Sequence, residues 1–284
     1  MQILNTLEAF PTNCTLDSLR EYYQKYPSIF DFYFQFHCKN SNERLNQALV
    51  KYSNDWPSIE KVQEKIGSLV VKVVQRYKSL YDLDFPISVN LIVGAYGSNG
   101  YTNHKIIPDI TFALERVTYE EDPLQVLIAH EFGHAAHNII SNNHNMDWKS
   151  VQWNHPFTWL LQEGAATHFS RKIIPDLEES IYFSYKYGEN EWLEFARNNV
   201  QEIIEKFTLD LQRGKPNQEI FKEWFSINGG ETFGYSRLGY YIADCLFQDF
   251  VRRIGEVQTL RLWKNETFFQ EIGNWLTLRE EREW

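Results

Sequence analysis

Apolar residues recur at threes and fours along most of this chain, and at twos in one short region only. From Asp55-Trp56-Pro57 to about Asp82, Ile59, Val62, Ile66, Leu69, Val70, Val73, Val74 and Tyr77 follow the helical period. A shorter helix, capped by Ser41 and running to about Tyr52, precedes it. Residues 15–38 read as one or two helices broken near Pro27. The period then changes. Residues 86–93 alternate as a strand does, 94–100 are rich in turn residues, and 106–114 read as a second strand. The glycine-bearing segment therefore reads as a hairpin connection. No GK[ST] or GxGxxG pattern accompanies it, so a phosphate-binding loop is excluded.

Asp122-Pro123-x-Gln125 then supplies an N-cap, a first-position proline and a third-position Gln, opening a helix to about Asn142. After a polar stretch a second helix runs from Phe157 to about Ile174, stopped by Pro175. A long helix spans roughly 190–212 with Gly214 behind it, and Gly229-Gly230 marks a break. Ser236 caps a further helix ending at Gly255, and residues 256–284 read as one or two short helices. The sheet thus lies before residue 122 and helices fill the rest. The expected fold is α+β and mainly helical, with a small antiparallel or mixed sheet and a soft division into residues 1–121 and 122–284.

Composition narrows the classes. The 284 residues can bury a sizeable core. The net charge is −10 and no Lys/Arg cluster is present, so nucleic acid is not an expected partner. No apolar run is long enough to span a membrane, and residues 1–14 lack the basic start and apolar core of a secretory signal. Cys14, Cys38 and Cys245 are odd in number and widely spaced, which points to a reducing compartment and, by default, the cytoplasm. The densest aromatic segment, from Tyr22 to Phe36, reads as core rather than cleft wall.

The candidate chemistry lies in Ile128-Ala129-His130-Glu131-Phe132-Gly133-His134-Ala135-Ala136. On a helix, residues four apart share a face, so His130 and His134 can grip one zinc ion. Glu131 lies about 100° round the helix, beside the metal, where it can take a proton from water. The bland alternative is a buried helix with two satisfied histidines, and an unpaired Glu on such a helix would be costly.

A catalytic zinc site needs a third protein ligand. His137 falls a turn beyond the metal and reads as a neighbour of the site or a surface residue. His144 and Asp147 lie in a polar loop, and His155 precedes Pro156. Glu163 is the lone acid in Trp159-Leu160-Leu161-Gln162-Glu163-Gly164-Ala165-Ala166-Thr167. A carboxylate there needs a partner, which a metal supplies; a buried Arg or Lys is the alternative. Gly164, Ala165 and Ala166 would let another helix come close.

HExxH on one helix and Glu on the next resembles the gluzincin group of zinc peptidases, which includes thermolysin and the alanyl aminopeptidases. The string Glu163-Gly164-Ala165-Ala166-Thr167-His168-Phe169-Ser170 is similar to the EGxA stretch of bacterial zinc-dependent proteases. The resemblance covers residues 122–175 and, more weakly, 236–250. It implies a zincin-like fold, one Zn²⁺ per chain on His130, His134 and Glu163, Glu131 as general base, and a peptide or protein substrate. It also implies a Tyr or His from the helical half as oxyanion donor. Tyr240 fills that role in this reading, with Tyr241, Arg237 and His155 as substitutes. The chain departs from the thermolysin pattern at Thr167, where an Asp often orients a zinc-bound His. It departs from the aminopeptidase pattern at residues 97–102, which carry no acid. Two rivals stay open: another zinc hydrolase on the same scaffold, and a non-catalytic zincin-like binding protein. Because zinc needs neutral imidazoles, metal affinity should fall below a pH of roughly 6.5.

Overall fold

The alternating segments build one mixed sheet. In the computed structural model, which describes residues 1–103 and 105–277, four strands are present: β1 (Gln2–Asn5), β2 (Ser88–Ile92), β3 (Gly100–Thr102) and β4 (Ile110–Ala113). Their order is β1-β2-β4-β3. β2 pairs in parallel with β1 and with β4, whereas β3 pairs antiparallel with β4 at the sheet's edge. Residues 94–100 are therefore not a hairpin between the two expected strands; the hairpin lies one strand later, between β3 and β4. β2 and β4 are interior strands, with Val89, Leu91, Ile92 and all of Ile110–Ala113 buried. A strand buried in this way takes a parallel neighbour readily. β1 carries too few residues to show a period.

The chain divides into two units, Met1–Ala135 and Ala136–Trp284. The first holds the sheet, α1 (Leu16–Gln24), α2 (Pro27–Phe36), α3 (Asn42–Tyr81) and the start of α4 (Glu121–Asn143). α1 and α2 break before Pro27, as the sequence predicts. Tyr22, Tyr23, Phe30 and Tyr33 are core, while Phe36 is exposed. The two helices expected on either side of Pro57 are one. Pro57 costs about 3 kcal/mol inside a helix. The buried stripe of Leu45, Ala48 and Tyr52 resumes on its far side with Ile59, Val62 and Ile66, and each of the Leu, Ile and Val side chains contributes about 1.5–3 kcal/mol on burial. The stripe outweighs the proline. Ser41 caps this whole helix, accepting from the Arg44 amide at 3.2 Å. α4 begins at Glu121, so Asp122 stands in its first turn rather than at the N-cap; both acids suit the positive end of the helix.

The second unit is helical: α5 (Pro156–Ile173), α6 (Ile181–Ser184), α7 (Asn190–Asn198), α8 (Val200–Gln212), α9 (Asn217–Trp224), α10 (Leu238–Ile254), α11 (Glu256–Leu260) and α12 (Phe268–Thr277). The single helix expected over 190–212 is two. The Asn199 side chain donates to the Phe195 carbonyl at 2.8 Å, a local bond that competes with the helical ladder. Ser236 does not cap α10. Arg237 holds that position, with a left-handed φ of 64°, and the Ser236 carbonyl accepts from Trp192 Nε1 at 2.8 Å. Residues 278–284, the last of the expected C-terminal helices, lie outside the described residues. No helix among those described is long and apolar enough to cross a membrane.

α5 and α10 make the broadest helix contact in the unit, and Gly164 is the reason. A Cβ built there would meet the Ala243 carbonyl oxygen and would stand 2.7 Å from Phe247 Cβ. The small residues at 164–166 thus admit α10, as their sequence predicts.

Candidate active site

α4 holds the two histidines as their spacing requires. The rings of His130 and His134 are 5.0 Å apart and nearly perpendicular; His130 is buried and His134 half-buried. The turn before them is fixed from α3, where the Tyr77 hydroxyl donates to the Ala129 carbonyl at 2.7 Å. Phe132, on the opposite side of the helix, packs edge-on against Phe85 with centroids 4.9 Å apart. A helix anchored on both sides keeps His130 and His134 in place.

Glu131 is buried and lies against the edge strand. A Cβ added to Gly100, at the start of β3, would stand 3.0 Å from Glu131 Cγ and 3.1 Å from Oε1. The carboxylate therefore occupies the space that any other residue at position 100 would fill.

One donor atom of each of His130, His134 and Glu163 lies within 4.8 Å of the other two. No other group of three His, Cys, Asp or Glu side chains comes together in this way among the described residues. Three donors on one zinc ion at about 2.0–2.2 Å stand roughly 3.5 Å from one another. The observed limit of 4.8 Å is about 1.3 Å wider, and two imidazoles with one carboxylate is a set that zinc accepts. The residues fit the ion.

Within the second unit, Glu163 has a cation and two phenols for company. The Arg237 guanidinium lies 4.1 Å from the Tyr240 ring centroid and 5.4 Å from that of Tyr185. Burial pulls its pKa down, but the fields of Tyr240, Tyr185 and Glu163 outweigh this and leave it above the ordinary arginine value. Arg237 and Tyr185 both adopt positive φ, a strain of about 1–2 kcal/mol for a side chain with a Cβ. Gly239 makes room for this turn: a Cβ there would lie 2.7 Å from the Trp224 carbonyl oxygen and 2.9 Å from the Phe225 ring.

The other sequence candidates have structural work. Tyr241 is buried against Phe183 and Trp192. His155 caps α5, its Nδ1 accepting from the Phe157 amide at 3.1 Å, and burial lowers its pKa. His137 is no surface residue: it is fully buried, its Nε2 on the Leu260 carbonyl at 2.8 Å and its ring stacked on Trp263. His144 binds the Ile140 carbonyl, and Asp147 accepts from the Lys149 amide in an exposed turn. His168 pairs with Glu256 at 2.7 Å. Thr167 is wholly buried one turn after Glu163.

Two features escaped the sequence. Gly100 gave no sign of facing Glu131, because that proximity is tertiary. Glu115, which follows the apolar run Ile110–Leu114, was findable: it is an acid beside a buried segment, the signal that drew attention to Glu163.

The chain belongs to the family described as "Putative zinc dependent peptidase (DUF5700)", whose profile matches residues 15–254. The match covers both strand and helix regions and includes every residue of the cluster. No curated protein and no solved structure matches the chain.

Proposed function

We propose that this chain is a zinc-dependent peptidase of gluzincin type, holding one Zn²⁺ on His130, His134 and Glu163. The observation that carries the reading is the cluster of these three side chains, with Glu131 on the next position of the same helix and against the edge strand. When bound, zinc acts as a Lewis acid toward the scissile carbonyl and lowers the pKa of a water beside it.

The chain's own residues do the rest. Glu131 takes the proton of the attacking water and passes it to the leaving amine. The Tyr240 hydroxyl donates to the oxygen on which negative charge develops, and the Arg237 cation over its ring makes that hydroxyl a better donor. β3 offers a backbone edge beside Glu131, and an extended peptide adds to such an edge by main-chain hydrogen bonds. Three free cysteines suit the reducing cytoplasm.

The test is a peptide-mixture digest read by mass spectrometry, with zinc-loaded wild type beside Glu131→Gln. New termini from wild type only are the expected result. No cleavage by either protein, with zinc bound in both, would favour a non-catalytic zincin-like protein. Hydrolysis of other amides or esters alone would favour a different zinc hydrolase.

A further inference from the structure

The loop between β2 and β3 is held in an unusual way. All the backbone polar groups of residues 94–97 are satisfied by side chains. The Gly94 and Tyr96 amides donate to the two carboxylate oxygens of Glu115, at 3.0 and 3.1 Å. The alternate amides, of Ala95 and Gly97, both donate to the Tyr33 hydroxyl at 2.9 Å. The carbonyls are met in turn. Tyr52 donates to Gly94, Arg44 to Ala95 and Tyr96, and Arg116 to Gly97 at 3.1 Å.

Residues 94–97 are buried, so their polar groups cannot be left to water as those of a surface loop are, and each needs a protein partner. Here α2 supplies Tyr33, α3 supplies Arg44 and Tyr52, and the turn Leu114–Arg116 supplies the rest. The glycines admit them: a Cβ on Gly97 would lie 2.8 Å from the Tyr33 hydroxyl, and one on Gly94 3.0 Å from Glu115 Oε1. Tyr96 is held at a left-handed φ of 60°, a conformation that persists where its surroundings over-determine it. Three residues beyond Gly97 stands Gly100, against Glu131. A misplacement of about 1 Å at a reacting centre can cost roughly a hundredfold in rate.

We propose that Glu115 and Tyr33 are positioning residues: by fixing the 94–97 backbone they set β3 against Glu131, so that an extended peptide is presented to the general base in one register. The inference rests on the peptidase reading above. Neither residue touches the reacting atoms; both act through the loop.

The test compares full-length, zinc-loaded wild type with Glu115→Gln, which keeps the shape but turns one acceptor oxygen into a donor facing an amide. Two readouts are taken. The first is hydrogen–deuterium exchange at residues 99–102. The second is kcat and KM for the peptide cut fastest from a β-casein digest. Exchange at 99–102 should quicken tenfold or more, with 128–136 unchanged, and KM should rise about tenfold while kcat moves less than about threefold. Unchanged exchange in a folded variant overturns the proposal, and so does faster exchange with unchanged KM. If Glu115→Gln does not fold, Arg116→Ala removes the exposed donor to the Gly97 carbonyl and leaves the Glu115 and Tyr33 bonds to the loop amides in place. It should raise KM about threefold and quicken the same exchange, and no change in either overturns the proposal. A wild-type protein that cuts no peptide removes the peptidase reading instead, and exchange alone then decides whether the cage holds β3.

Discussion

Gly100 and Glu131 share one space: Glu131 Cγ lies 3.0 Å, and its carboxylate Oε1 3.1 Å, from where a Cβ on the glycine would stand. Glycine at this position is the condition for Glu131 to reach the strand edge. Gly100→Ala should displace the carboxylate by several tenths of an ångström and lower kcat about tenfold, with zinc content unchanged. Peptide hydrolysis and elemental analysis on one sample check this. Full activity in the alanine variant would mean that Glu131 works from another position.

Gly164 plays the matching part between α5 and α10. Gly164→Ala drives a methyl group into the Ala243 carbonyl and the Phe247 side chain. Overpacking of this kind costs about 1–3 kcal/mol. Because the obstacle includes backbone, the upper part of that range is expected, read as a lower urea midpoint with an unchanged slope.

Tyr240→Phe should keep the ring over which Arg237 lies and remove only the hydroxyl. Turnover should fall about a hundredfold to a thousandfold with KM nearly unchanged, as for other single oxyanion donors. Unchanged turnover removes Tyr240 from the mechanism and passes the role to Arg237.

Burial pushes the Glu115 carboxyl up to about 7, and the Gly94 and Tyr96 amides that it accepts hold it from rising further. Tyr22, Tyr23, Tyr33, Tyr52, Tyr96 and Tyr101 lie within its field, and the Arg116 cation favours its charged form. Its folded pKa is above its unfolded value, so the fold binds this proton more tightly. The stability it contributes is complete below about 4.5 and is lost as pH rises through 7. The stability difference between wild type and Glu115→Gln should therefore shift against wild type between pH 5 and 7.5. Urea unfolding at several pH values measures it, and a constant difference would show that Glu115 does not titrate there.

Much of this was legible in the sequence. The 3.6-residue period gave the two stretches that make up α3, the start signals at Asp122 and Pro123 gave α4, and the His130/His134 spacing put two imidazoles on one face. Glu163 was legible because a lone acid among Leu, Ala and Gly asks for a partner. What failed was non-local. Pro57 read as a break because its cost is visible in sequence, whereas the buried stripe that offsets it is counted only in the fold. The parallel pairing of β2 with β4 and the side chains that satisfy residues 94–97 depend on elements far apart in the chain. Asn199 split a helix through one side-chain bond that no periodicity records.

The central claim is that His130, His134 and Glu163 hold one zinc ion. Zinc per chain, measured by elemental analysis for wild type beside Glu163→Ala after both are supplied with zinc at neutral pH, tests it most directly. About one zinc per chain in wild type and much less in the variant is expected. No zinc in wild type, or equal zinc in both, would contradict it.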